Sequence, residues 1–172
     1  MLVPLVIVIL IGAAVFSAVR NLNAPAQGTV VQNGTDAVSN TQTPGTQSYS
    51  DSQISFSYPG KFELGTSQKS GGVLDEVNLI SSARRDEYVA IAVAKGSLAT
   101  DPSVSYRRDH PELYKTNISS GSSVVFSKLD STELTGFIQH GGDVASISLT
   151  SVTAQDLSPD YVVIADSLQW AR

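Results

Sequence analysis

The stretch Tyr88-Val-Ala-Ile-Ala-Val-Ala-Lys95 decides the fold. Val89, Ile91 and Val93 alternate with Ala90, Ala92 and Ala94. A period of two is a strand, because successive Cβ atoms point to opposite faces of a sheet. The bulky face can fill a core. The alanine face is small enough for a helix to come close, so the strand is expected at the centre of a sheet, covered on both sides.

Upstream, Val77 and Leu79 lie in a strand ending near Ser82, and the charged tip Arg84-Arg85-Asp86-Glu87 joins it to the alanine strand. Further back, Ile54, Phe56 and Tyr58 alternate with Ser55 and Ser57 as a half-buried strand, which Pro59-Gly60 turns; Phe62 and Leu64 continue it briefly. Downstream, Asp101-Pro102 reads as a helix start, with Asp as cap and Pro in the first position. Pro111 disfavours helix at His110 and keeps that helix short, with Glu112–Lys115 as a further turn and Asn117–Ser123 as a loop. Three strands follow, Val124–Leu129, Leu134–Gln139 and Val144–Val152, the last two joined by the tight turn His140-Gly-Gly-Asp143. Ser158-Pro159-Asp160 opens a closing helix with Tyr161, Ile164, Ala165 and Leu168 on one face, and Trp170 ends it. Residues 50–172 therefore read as one α+β domain layered around an antiparallel sheet.

The N-terminal part is different in kind. Leu2–Val19 is apolar without a charge, and its eighteen residues make about 27 Å of helix, enough for a single membrane span. No basic residue precedes it, and cuts after Ala18 or Ala24 would place Phe16 or Leu22 where a small residue is needed, so retention is favoured over cleavage. The absence of cysteine excludes a lipoprotein signal. Residues 1–20 are thus read as a transmembrane anchor. Residues 21–49, rich in Asn, Gln, Thr, Ser and Gly with Asp36 as the one charge, are read as a disordered linker with an end-to-end distance of roughly 30 Å. Arg20 votes for a domain inside the cytoplasm. The polar linker votes for outside, and we follow the linker.

The net charge of −5 comes from 11 basic and 16 acidic residues and leaves no basic stripe for nucleic acid. Without cysteine, thiol catalysis and the common zinc sites are absent. His110 with Asp109 and His140 with Asp143 are the histidine–carboxylate neighbours, both in loops with no helix to fix a ligand spacing. No nucleophile-elbow pattern surrounds any serine. Of the carboxylate pairs, Asp75 and Glu76 are strand neighbours that point to opposite faces, and Asp86-Glu87, next to two arginines at a tip, reads as a solvated hairpin end; Asn33-Gly-Thr35 and Asn117-Ile-Ser119 read as chance glycosylation patterns in a chain rich in these residues. Arg84-Arg85 and Arg107-Arg108 are the basic spots and the candidate partner-binding residues.

The opening Ile54-Ser-Phe-Ser-Tyr-Pro59-Gly60-Lys61-Phe62 resembles the first strand and turn of PsbP-like domains, the family of the photosystem II extrinsic protein. The ending Asp166-Ser-Leu-Gln-Trp170 is similar to that family's closing segment. The resemblance covers roughly 50–172 and implies an antiparallel sheet between helices. Phe62 stands where many members have Trp, and no family metal ligand maps onto the chain, so no functional residue is carried over.

The expected function is a non-enzymatic, membrane-anchored, extracytoplasmic binding or accessory domain. It meets the lipid bilayer through residues 2–19 and meets an unknown protein or envelope partner, with no cofactor and no nucleic acid. Two rivals stand beside it: a ligand-binding or hydrolytic enzyme with a site in loops 96–122 and 140–143, and a structural subunit of an envelope assembly recruited through a sheet edge.

Overall fold

A computed structural model describes residues 45–66, 72–82 and 86–171. The apolar run 2–19, most of the expected linker and the pair Arg84-Arg85 lie outside the described residues. The elements are β1 (Thr46–Ser50), β2 (Ile54–Pro59), β3 (Phe62–Leu64), β4 (Val73–Ser81), β5 (Glu87–Lys95), α1 (Pro102–Asp109), β6 (Tyr114–Ser119), β7 (Ser123–Lys128), β8 (Glu133–His140), β9 (Asp143–Ser151), α2 (Ser158–Ser167) and β10 (Gln169–Trp170). The alanine strand is β5, and it is central. The large sheet runs β3-β4-β5-β9-β8-β7-β6 and a small one runs β1-β2-β10, with every pairing antiparallel.

Alternation sets the layers. Val89, Ile91 and Val93 of β5 lie between Val77 of β4 and Ile147 of β9, and this face is covered by Ile54, Phe56 and Tyr58 of β2 and by Tyr161 and Ile164 of α2. Residues one position out of phase, Val124, Phe126, Phe137 and Val144, point to the other face and pack with Leu98 and with Val104 of α1. Asp101 starts α1 as its sequence implies: one carboxylate oxygen accepts the Ser103 and Val104 amides at 2.8 and 3.1 Å. At α2 the supporting acceptor is Asp156, which takes the Ser158 amide at 3.0 Å, while Leu157 occupies the cap position and makes no side-chain cap.

Several expectations need correction. The alanine face of β5 is half-buried, not covered by a helix, because α1 places its one buried residue, Val104, with the β7–β9 cluster. The linker does not extend to residue 49: β1 begins at Thr46 and pairs with β2 as a polar edge strand whose composition carries no hydrophobic alternation. Tyr114–Ser119 is a strand, not a helical turn running into a loop; as an exposed edge it has no buried face to write a period into the sequence. Trp170 does not end the helix. α2 stops at Ser167, whose hydroxyl donates to the Val163 carbonyl at 2.7 Å and accepts the Ser57 amide at 2.8 Å, and Trp170 then pairs with Ile54 in β10. The pair Asp86-Glu87 is not a solvated hairpin end. Asp75 is in phase with Val77 and Leu79, and Glu87 with Val89 and Ile91, so both face inward and are only 3% and 5% exposed.

Candidate functional site

An open cleft of about 620 Å³ lies between the β6–β7 end of the large sheet and the start of α2. Its apolar lining is Ile118, Val125, Leu134, Leu157, Tyr161 and Val162; Asn117, Ser127, Glu133 and Asp156 are among its polar residues. The bulge in β6 helps to shape it. Thr116 pairs with Phe126 and Ile118 with Val125, which leaves Asn117 as the extra residue, so two adjacent side chains of one strand both reach the cleft.

Tyr161 forms part of the cleft wall. Its ring occupies the room left by Gly136, where an added Cβ would meet the hydroxyl at 1.9 Å. Burial, with a smaller push from the charge of Asp166, raises the phenol to about 12, so it stays a neutral hydroxyl at ordinary pH. Glu133 is held in place from behind: Arg107 Nη2 lies 2.5 Å and Thr135 Oγ1 2.9 Å from its Oε1, and Thr135 in turn bonds Ser148 at 2.9 Å. The guanidinium lies 5.2 and 5.6 Å from the Tyr114 and Phe137 ring centres and donates to the Ser103 carbonyl at 3.3 Å.

Of the four arginines singled out from the sequence, Arg107 is thus half-buried and engaged within the domain. Arg108 is exposed on α1, and Arg84 and Arg85 lie outside the described residues. The histidines stand apart from the cleft: His110 caps the end of α1, 2.8 Å from Glu112, and His140 stacks on Trp170 with ring centres 5.3 Å apart. Of the loops 96–122 and 140–143, only Asn117 and Ile118 reach the cleft. Among the described residues no three His, Cys, Asp or Glu side chains gather as a metal site.

Two further polar groups are structural in placement. Lys61 Nζ bridges Glu87 at 3.0 Å and Asp160 at 2.6 Å, tying the β2–β3 turn to β5 and to the first turn of α2. Asp51 accepts the Gln53 and Ile54 amides at 2.7 and 2.9 Å and the Tyr49 hydroxyl at 2.8 Å. Burial works to raise its pKa, yet hydrogen bonds from Asp75, the two amides and Tyr49 hold it below the usual carboxylate value.

The cleft was hidden in the sequence because its parts are polar, scattered and weakly patterned. Asn117 and Ile118 sit in an exposed strand without alternation, and Asp156 and Leu157 in a loop. The one legible signal was the helical spacing that brings Tyr161 to the sheet.

In class, this is a sheet-centred α+β domain with an open cleft and two helices among the described residues. The chain has a PsbP-like fold. The cyanobacterial PsbP protein (CyanoP) of Synechocystis sp. PCC 6803 is similar over 79% of this chain and 98% of that one, with a TM-score of 0.50 and 14% identity. A structure from Bacteroides thetaiotaomicron VPI-5482 aligns over 69% of this chain and 45% of that one, with a TM-score of 0.45 and 10% identity. No family model and no curated protein sequence matches the chain.

Proposed function

We propose that the chain is a non-enzymatic binding module, held to a membrane by residues 2–19 and carrying its folded domain outside the cytoplasm. The supporting observation is the chemistry of the cleft. Its lining contains no histidine, lysine, arginine or cysteine, its one phenol stays protonated, and its one strongly placed carboxylate, Glu133, is committed to Arg107 and Thr135. The other carboxylate, Asp156, is held below the ordinary carboxylate pKa by the Ser158 amide and hydroxyl and is a weak base, whereas apolar area with a polar rim is what a partner surface offers.

Protease added to intact cells tests the arrangement. Cleavage within 21–44 should release the folded domain as a soluble fragment, and protection of the domain until the membrane is permeabilised would overturn the outside placement. Cross-linking from a photoreactive residue at position 162 should trap a distinct protein in the same cells.

A further inference from the structure

We propose that the cleft receives an extended basic segment of a protein partner, seating one aliphatic side chain between Ile118 and Val162 and placing a neighbouring Lys or Arg against Asp156. This rests on the reading of the domain as a binding module. Ile118 and Val162 are 55% and 49% exposed, and they face the apolar floor made by Val125, Leu134 and Leu157. Large aliphatic side chains at the mouth of an apolar trough lose water-exposed area only when something lies across them. Sites for small molecules enclose most of their ligand. This cleft is open to solvent, with Asn117 and Ile118 of β6 at its wall, which suits a chain segment better.

Charge chooses the kind of segment. The lining carries Glu133 and Asp156 and no basic side chain. Glu133 already holds Arg107, whereas Asp156 is exposed and has no basic partner among the described residues. The start of α2 alone would favour an anion. That preference is offset by Asp156, which accepts the Ser158 amide. Asp130, next to the cleft residue Ser131, is taken by Lys128 at 3.0 Å, but from residue 45 onward fifteen acidic side chains face ten basic ones. A cationic segment is drawn in and an anionic one repelled. Side chains, not strand addition, supply the contact, because the bulge at Asn117 interrupts the edge ladder.

The test uses the full chain in lipid nanodiscs and three fluorescein-labelled peptides, all amidated: a Lys-Val alternating heptamer, its Glu-Val counterpart and a Lys-Ser counterpart. The Lys-Val peptide should bind at least about tenfold more tightly than either control. Its affinity should fall as salt rises from about 50 to about 300 mM. Asp156→Lys and Val162→Asp, both at exposed positions, should each weaken it about tenfold or more, whereas Glu63→Lys on β3, at the opposite edge of the sheet, should not. Equal binding of the Glu-Val peptide, or equal losses in the Glu63→Lys variant, would overturn the proposal. So would concentration-dependent dimerisation abolished by Val162→Asp, which would assign the cleft to a second copy. A partner cross-linked in cells but unaffected by both cleft substitutions would sink this chemistry while leaving the binding-module reading intact.

Discussion

Tyr161 fills the space that a side chain at position 136 would need: a Cβ on Gly136 would lie 1.9 Å from the phenol oxygen and 2.5 Å from the ring carbon that bears it. The glycine of β8 and the tyrosine of α2 are therefore one packing unit, and they fix how closely the helix approaches the sheet beside the cleft. Gly136→Ala should cost about 1–3 kcal/mol, since the added methyl meets a buried ring with nowhere to go. Tyr161→Ala alone should cost about 3–5 kcal/mol through the cavity it leaves. The double variant should be clearly more stable than the sum of the two losses predicts, because removing the ring makes room for the methyl. Urea unfolding of all four proteins reads this directly; strict additivity would mean the helix shifts freely and the contact sets nothing.

Lys61 is the second joint. It lies between Glu87 and Asp160, and its pKa is raised: burial opposes the charge, but the carboxylates of Asp160 and Glu87 outweigh that. Lys61→Met takes one cation from two carboxylates that are 6% and 16% exposed. The loss should be about 1–3 kcal/mol, below the value for a fully buried pair because the lysine is itself partly solvated. A pKa higher in the folded than in the unfolded state gives stability that is fully present below 10.5 and is lost as pH rises through the folded value. Wild-type stability should thus decline on the alkaline side more steeply than that of Lys61→Met. Parallel curves above pH 10 would assign the joint no electrostatic role.

The core of this fold was legible because burial writes a period. β2 and β5, and β9 from Ala145 onward, bury one side chain in two, with the buried apolar residues in phase. The same period, read strictly, would have placed Asp75 and Glu87 inside, since each is in phase with buried valines. The two arginines beside Asp86-Glu87 made that tip read as solvated instead. What had no period was lost: β1 and β6 are polar edge strands whose pairing depends on backbone bonds that any sequence can make. β6 carries one wall of the cleft, so the site was less legible than the fold that holds it.

Asp101 supports α1 by accepting two amides that no carbonyl in the helix can reach. Asp101→Ala should cost about 1 kcal/mol, and Asp101→Asn distinctly less, because an amide oxygen still caps. The loss should be local. Hydrogen exchange should speed up across 102–109 while β5 and β9 keep their protection. If exchange accelerated equally in the central strands, α1 would have to be part of the main cooperative unit, contrary to its single buried residue, Val104.

Asp51 predicts the acid limb. Its carboxylate ties β1 to β2 through Tyr49 and the amides of Gln53 and Ile54, and it shares a hydrogen bond with Asp75. Against the opposing effect of burial, these bonds lower its pKa from the ordinary 3.8. A carboxylate depressed on folding contributes stability that is present above 3.8 and is lost as pH falls through the lower, folded value. Asp51→Asn keeps an oxygen for the two amides but has no charge to titrate. Its urea midpoint should therefore lie below that of the wild type at pH 7, and the gap should close as pH is lowered from about 4 towards about 2. The phenol of Tyr49 is raised by burial, by its bond to Asp51 and by the charges of Asp51 and Asp75, so it takes no part in this limb. A gap that stayed constant to pH 2 would show that the side chain acts through its turn geometry alone.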